Sequence, residues 1–130
     1  MELQRNMVGW FEIPVNNMDR AIAFYQTVFD ISISKHVMGP IEMGWFPALD
    51  DKPGAQGSLV YNKEFYATSD KAGTLIYFTS QAADCAVELS RVENAGGKVL
   101  QEKKLITPDI GYMGLFIDSE GNRVAIHSLK

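Results

Sequence analysis

The chain has little that would tie it to an oxidising compartment, a nucleic acid or a membrane. Among its 130 residues there is one cysteine, Cys85, so no internal disulfide can form. Twelve basic residues stand against sixteen acidic ones, a net charge of −4. Beyond Lys103-Lys104 there is no basic cluster, and nucleic-acid binders usually carry one. No apolar run approaches the ~18 residues needed to cross a bilayer. The stretch Met1-Glu2-Leu3-Gln4-Arg5-Asn6 has no apolar core of the secretory kind. No glycine-rich phosphate loop is present, because Gly54 and Gly57 lack a following lysine and helix. These absences lead to the expectation of a cytoplasmic protein that binds neither nucleic acid nor membrane.

What is present is an ordinary globular composition, with 46% hydrophobic and 22% charged residues. A chain of this size can bury roughly two thirds of the surface it exposes when unfolded, so a core alone can hold it. One domain over residues 1–130 is expected.

The pattern along the chain predicts α+β structure in two halves. Val8 to Val15 reads as a strand, with Phe11, Ile13 and Val15 on one side and Trp10, Glu12 and Pro14 on the other. Asn16-Asn17 offers a helix cap, and Asp19 complements the helix dipole in the first turn. Ile22, Tyr25, Val28 and Phe29 form an apolar helical stripe. Strands follow at 31–37, 43–49 and 58–62, with Gly39-Pro40 and residues 50–54 as turns. This first module occupies about 7–62. Residues 63–73 are polar and read as a connector, in which Phe65 and Tyr66 are apolar enough to cover a cavity rim.

The order then recurs over about 74–130. Residues 74–79 read as a strand and 84–95 as a helix, ended by Gly96-Gly97. Strands follow at 98–101, 114–117 and 123–128. Asp118-Ser119-Glu120-Gly121-Asn122 is a hairpin loop in which Gly and Asn can supply positive φ. Each half should leave one sheet face open, so the two halves should pair.

Glu12-Ile13-Pro14-Val15, Met18-Asp19-Arg20-Ala21, Phe24-Tyr25 and Val28-Phe29 resemble the first module of the vicinal oxygen chelate superfamily. That superfamily includes glyoxalase I, bleomycin-resistance proteins and extradiol dioxygenases. Asp84, Val92-Glu93, Ala95 to Val99, Asp118 and Glu120-Gly121-Asn122 resemble the second. The resemblance implies two βαβββ modules whose mixed sheets curve around a partly open cup. It also implies, in the metalloenzymes, four ligands on the first and last strands of the modules, usually His, Glu or Gln.

Carried over, those positions fall on Trp10, near Ser58, near Leu75 or Tyr77, and on Ala125. The register of the third is blurred by Ser80-Gln81-Ala82-Ala83. Such residues do not suit a divalent ion, so no metal and no other cofactor is expected, with a divalent metal ion as the alternative.

The ligand-binding candidates are Trp10, Glu12, Trp45, Ser58, Tyr61, Tyr77, Ala125 and His127. Trp10, Trp45, Phe46, Tyr61 and Tyr77 would give the cup an aromatic character suited to flat or apolar ligands. Glu12 and His127 are the catalytic candidates, as a carboxylate able to act as a base and an imidazole able to carry protons. Each has a plainer reading, Glu12 as a locally bonded carboxylate and His127 as a surface group. His36 is expected in solvent, and Cys85 as a packing residue.

The function expected is small-molecule binding of the glyoxalase/bleomycin-resistance type, by which an organic ligand is sequestered or sensed. The alternatives are a glyoxalase-like lyase or isomerase, or a dioxygenase-related enzyme, using Glu12 and His127, and a structural dimer module with a filled cup. Family resemblance also implies a homodimer. Whether modules pair within or between chains stays open in the sequence.

Overall fold

A computed structural model describes residues 1–130. The first half contains β1 (Trp10–Pro14), α1 (Met18–Phe29), β2 (Ser34–Met38), β3 (Ile41–Trp45) and β4 (Gln56–Tyr61). The second contains β5 (Tyr77–Thr79), α2 (Cys85–Val92), β6 (Lys98–Thr107), β7 (Gly111–Ile117) and β8 (Arg123–Ser128). Each half builds a four-stranded sheet with the same order, β1-β4-β3-β2 and β5-β8-β7-β6. In each, the first strand runs parallel to the last and the other pairings are antiparallel. The repeat expected from the element order is therefore present as a repeat of topology.

Local chemistry accounts for the helices. The Asn17 side chain accepts from Arg20 N at 3.0 Å and opens α1, while Asp84 does the same for α2 through Ala86 N. The expected helix at 84–95 is thus shorter, with Asp84 as its cap and the last residues in a turn. Cys85, Glu88, Leu89 and Val92 form the buried side of α2.

Strand limits moved where backbone partners decide them. β2 starts at Ser34, because Ile31 N and Ile33 N bond back to Gln26 of α1. β3 starts at Ile41 and ends at Trp45. Phe46 N still reaches Gly57 O, and Pro47 then has no N–H to offer a ladder. β5 keeps only three of the six expected residues. β6 and β7 are longer than expected and form a hairpin with several register shifts. The charged run Glu102-Lys103-Lys104 lies beyond the expected strand at 98–101, and β6 continues through it. In the hairpin Lys103 reaches Asp84 at 2.9 Å and lies over the Tyr112 ring.

Both helices pack on the same side of the two sheets, and one contiguous core joins them. Ile13, Val15, Phe24, Tyr25 and Leu59 from the first half meet Leu89, Phe116, Val124 and Ile126 from the second. Phe11, Tyr25, Phe29, Phe46 and Phe78 make an aromatic cluster across the seam, with centroids 5.0–6.2 Å apart. Gly57 is needed there. A Cβ on it would lie 2.2 Å from the Phe11 ring, a distance no side chain tolerates.

The loop at 118–122 fastens the halves together. Asp118 accepts from Tyr25 Oη at 2.7 Å, from Glu120 N and Asn122 N at 2.9 Å, and from Asn122 Nδ2 at 3.1 Å. Glu120, with no exposed side-chain surface, accepts from Arg20 and from the backbone N–H groups of Asn16 and Asn17. Asn122 Nδ2 also donates to Pro14 O. Only Gly121 takes positive φ in this turn, at 94°, so Asn122 serves by its side chain.

Neither helix is long and apolar enough to cross a membrane.

Candidate functional site

The sheet faces turned away from the helices carry the candidate residues. On the first sheet the ladder sets Trp10 opposite Gln56, Glu12 opposite Ser58, and Ser58 opposite Trp45. Ladder partners share a face, so these side chains form one surface. Ser34 and His36 of β2 join it, opposite Trp45 and Met43. The indoles of Trp10 and Trp45 meet edge to face at 5.7 Å, across β4. His36 lies on Trp45 with ring centroids 4.2 Å apart and bonds Ser34 at 3.1 Å. His36 is thus half-buried and not fully in solvent as expected, because strand alternation brings it beside the indole. Only the β2–β3 register reveals that neighbour.

Glu12 is held at both oxygens. Trp10 Nε1 donates to Oε2 at 3.2 Å and Tyr66 Oη donates to Oε1 at 2.5 Å. The bond to Glu12 holds the Tyr66 hydroxyl above its ordinary pKa, with partial burial adding to the effect. Tyr66 is thus tied to the candidate surface through Glu12, whereas Phe65 is exposed. Glu12 also borders a hollow of about 200 Å³ lined by Ser69, Asn122 and Arg123.

Two polar atoms on this surface have no partner. Ser58 Oγ and Trp45 Nε1 are both buried and make no hydrogen bond. Ser58 is fully buried.

Tyr61 does not belong to the surface. It lies three residues beyond Ser58, and an odd spacing along a strand puts it on the opposite side. There it packs against the helix-side core. Phe46 is likewise buried in that core, beside Tyr25 and Phe78.

On the second sheet, Tyr77 stands directly opposite Ala125, and Thr79 opposite His127. Tyr77 thus matches Glu12, the partner of Ser58, and the place matching Trp10 falls two residues earlier, on Leu75, so Leu75 and Tyr77 both remain candidates for the third position. His127 Nε2 bonds Ile110 O. A carbonyl only accepts, so Nε2 carries the proton and Nδ1 is left as the ring's other nitrogen. Glu12 and His127 stand on different sheets and have different partners.

A cavity of about 970 Å³ lies along the seam between the loop at 46–56 and β5. Val8, Phe11, Phe46, Leu75 and Tyr77 are among its mostly apolar lining residues. Sequence reasoning missed it, since it needs the two halves in place.

The four positions implied for a metal hold an indole, a hydroxyl, an isobutyl group or a phenol, and a methyl group. That set does not fit a divalent ion, which prefers imidazole, carboxylate or thiolate donors. No three His, Cys, Asp or Glu side chains of the chain cluster closely enough to hold one.

Comparison with solved structures shows the same fold at low identity. Glyoxalase I of Leishmania major, described as trypanothione-dependent, aligns with TM-score 0.70 and 17% identity over 97% of this chain and 88% of its own. A glyoxalase/bleomycin resistance protein of Albidiferax ferrireducens gives 0.68 and 14% over 93% and 98%. A mutant glyoxalase I from Zea mays gives 0.70 and 17% over 93% of this chain, which spans only 46% of that enzyme. No match is found among proteins of curated function. The family model covers residues 7–126, nearly the whole chain. The chain therefore belongs to the Glyoxalase/Bleomycin resistance protein/Dioxygenase superfamily.

Proposed function

We propose that this chain binds a small organic molecule on its aromatic sheet surface, without the metal its relatives' fold can carry, and so sequesters or senses that molecule. The carrying observation is the residues at the four positions: Trp10, Ser58, Leu75 or Tyr77, and Ala125. Around it stand Trp45, His36 and the Trp10-bonded Glu12, a surface for a flat ligand with a few polar groups. A lyase or dioxygenase would need Glu12 and His127 to act on one substrate. Their separate partners within the chain give that reading less support.

A second copy of the chain is the partner we propose. In one chain the two candidate faces lie on sheets that share no hydrogen-bonded edge. β1 and β5 each end a sheet with one side unpaired. A second copy seated on the exposed Trp10 and Tyr77 would close the two faces into one cup.

Thermal denaturation in the presence of a chelator tests the binding proposal. A panel of planar aromatic compounds should contain members that raise the melting temperature by several degrees with chelator present. Stabilisation seen only after a divalent metal is restored would contradict the reading.

A further inference from the structure

The two unpartnered atoms on the first sheet point to the chemistry of the ligand. Trp45 Nε1 is a donor only, and the Ser58 hydroxyl can donate or accept. Both are buried, and the two residues face each other across the β3–β4 ladder. A buried polar group left unpaired costs about 1–3 kcal/mol, so such groups are few in native proteins. One acceptor oxygen with two lone pairs can take a hydrogen from each.

The neighbour of Ser58 on its other side restricts that oxygen's charge. Glu12 sits directly opposite Ser58, and its carboxylate would repel an anionic ligand. A neutral carbonyl meets no such penalty. Each Glu12 oxygen has one donor, Trp10 or Tyr66, and keeps a lone pair for another. A ligand N–H next to the carbonyl would be received there. Beside Ser58, through its ladder partner Trp45, stands the edge-to-face pair of Trp10 and Trp45, with His36 on the Trp45 ring. A flat ring that parts the two indoles would stack on them and uncover both donors.

We infer that the surface around Ser58 recognises a neutral planar lactam, whose carbonyl oxygen accepts from Ser58 Oγ and Trp45 Nε1 and whose ring N–H donates to Glu12. The inference rests on the proposal that this surface binds small molecules, and it narrows that proposal to one chemical class. Since the donors are covered in the free chain, binding is linked to separation of the indole pair.

The protein has two tryptophans, so the indole region of an amide-correlation NMR spectrum should hold two signals. Trp45→Phe assigns them. The full chain is titrated with 2-quinolinone, with quinoline, which lacks the carbonyl, and with 2-naphthoate, which is anionic. The expected result is saturable binding of 2-quinolinone with a downfield shift of the Trp45 indole proton. Quinoline and 2-naphthoate should bind at least about tenfold more weakly. Ser58→Ala should weaken 2-quinolinone about tenfold, leave quinoline unchanged, and not lower the melting temperature, because it removes an unpaired hydroxyl. Equal binding of 2-quinolinone and quinoline, unaffected by Ser58→Ala, would overturn the donor pair while leaving the wider binding proposal intact. So would a Trp45 indole proton already hydrogen-bonded in the free protein. If no probe moves either indole signal, the lactam assignment is wrong, and the chelator-treated compound panel decides separately whether the protein binds small molecules.

Discussion

Asp118→Ala should lower stability by roughly 4 kcal/mol, the largest single effect the fold predicts for a side chain outside the aromatic core. Asp118 is buried and accepts four hydrogen bonds, one of them from Tyr25 Oη. Its loss would leave the fully buried Tyr25 hydroxyl without a partner and free the turn that fastens the two halves. For a domain of this size the melting temperature should fall by roughly 10–15 °C, measured by calorimetry. A change below about 3 °C would show that the turn does not hold the halves together.

The same turn sets a response to acid. Burial pushes the Glu120 carboxyl up. The bond from Arg20, the N–H groups of Asn17 and Asn16, and Ser119 outweigh that and hold it below its ordinary value. Its stabilising contribution is therefore complete above the ordinary glutamate pKa of about 4.3 and is lost as pH falls through the lower folded value.

The second large effect is on mass. In solution the protein should behave as a dimer, with twice the 14.5 kDa chain mass. The single chain exposes 8301 Å². A compact monomer of this mass exposes about 6,900 Å². Part of the excess surface belongs to residues 1–9, all of them exposed, and part to the candidate faces. It includes apolar side chains on the free edge strands, Trp10 at 39% and Tyr77 at 51% exposure. A second copy seated over these faces would cover both side chains. Sedimentation equilibrium from one to one hundred micromolar should give the doubled mass. A constant 14.5 kDa species would remove the second copy from the cup.

Strand alternation made part of this site legible in sequence. It put Trp10 and Glu12 on one side of β1, and Ala125 and His127 on one side of β8. The ladders agree, through Glu12 opposite Ser58 and Tyr77 opposite Ala125. The helix caps were equally legible, since Asn17 and Asp84 act within three residues of themselves. Errors came where non-local pairing decides. His36 was assigned to solvent because its cross-strand neighbours are set by the β2–β3 register. Tyr61 was counted with the cup for its chemistry, although its spacing from Ser58 puts it among the core residues. The hairpin of β6 and β7 was cut short because a charged strand without alternation looks like a loop.

Family resemblance supplied the four positions, and the residues standing there supply the account's central claim. Elemental analysis of protein purified without added metal, scaled to chain concentration, addresses it directly. The account predicts well below one zinc, nickel, iron or manganese ion per chain, and no recovery of a tight ion after dialysis against each metal. One firmly held ion per chain, lost when Glu12 and His127 are replaced by alanine, would contradict it.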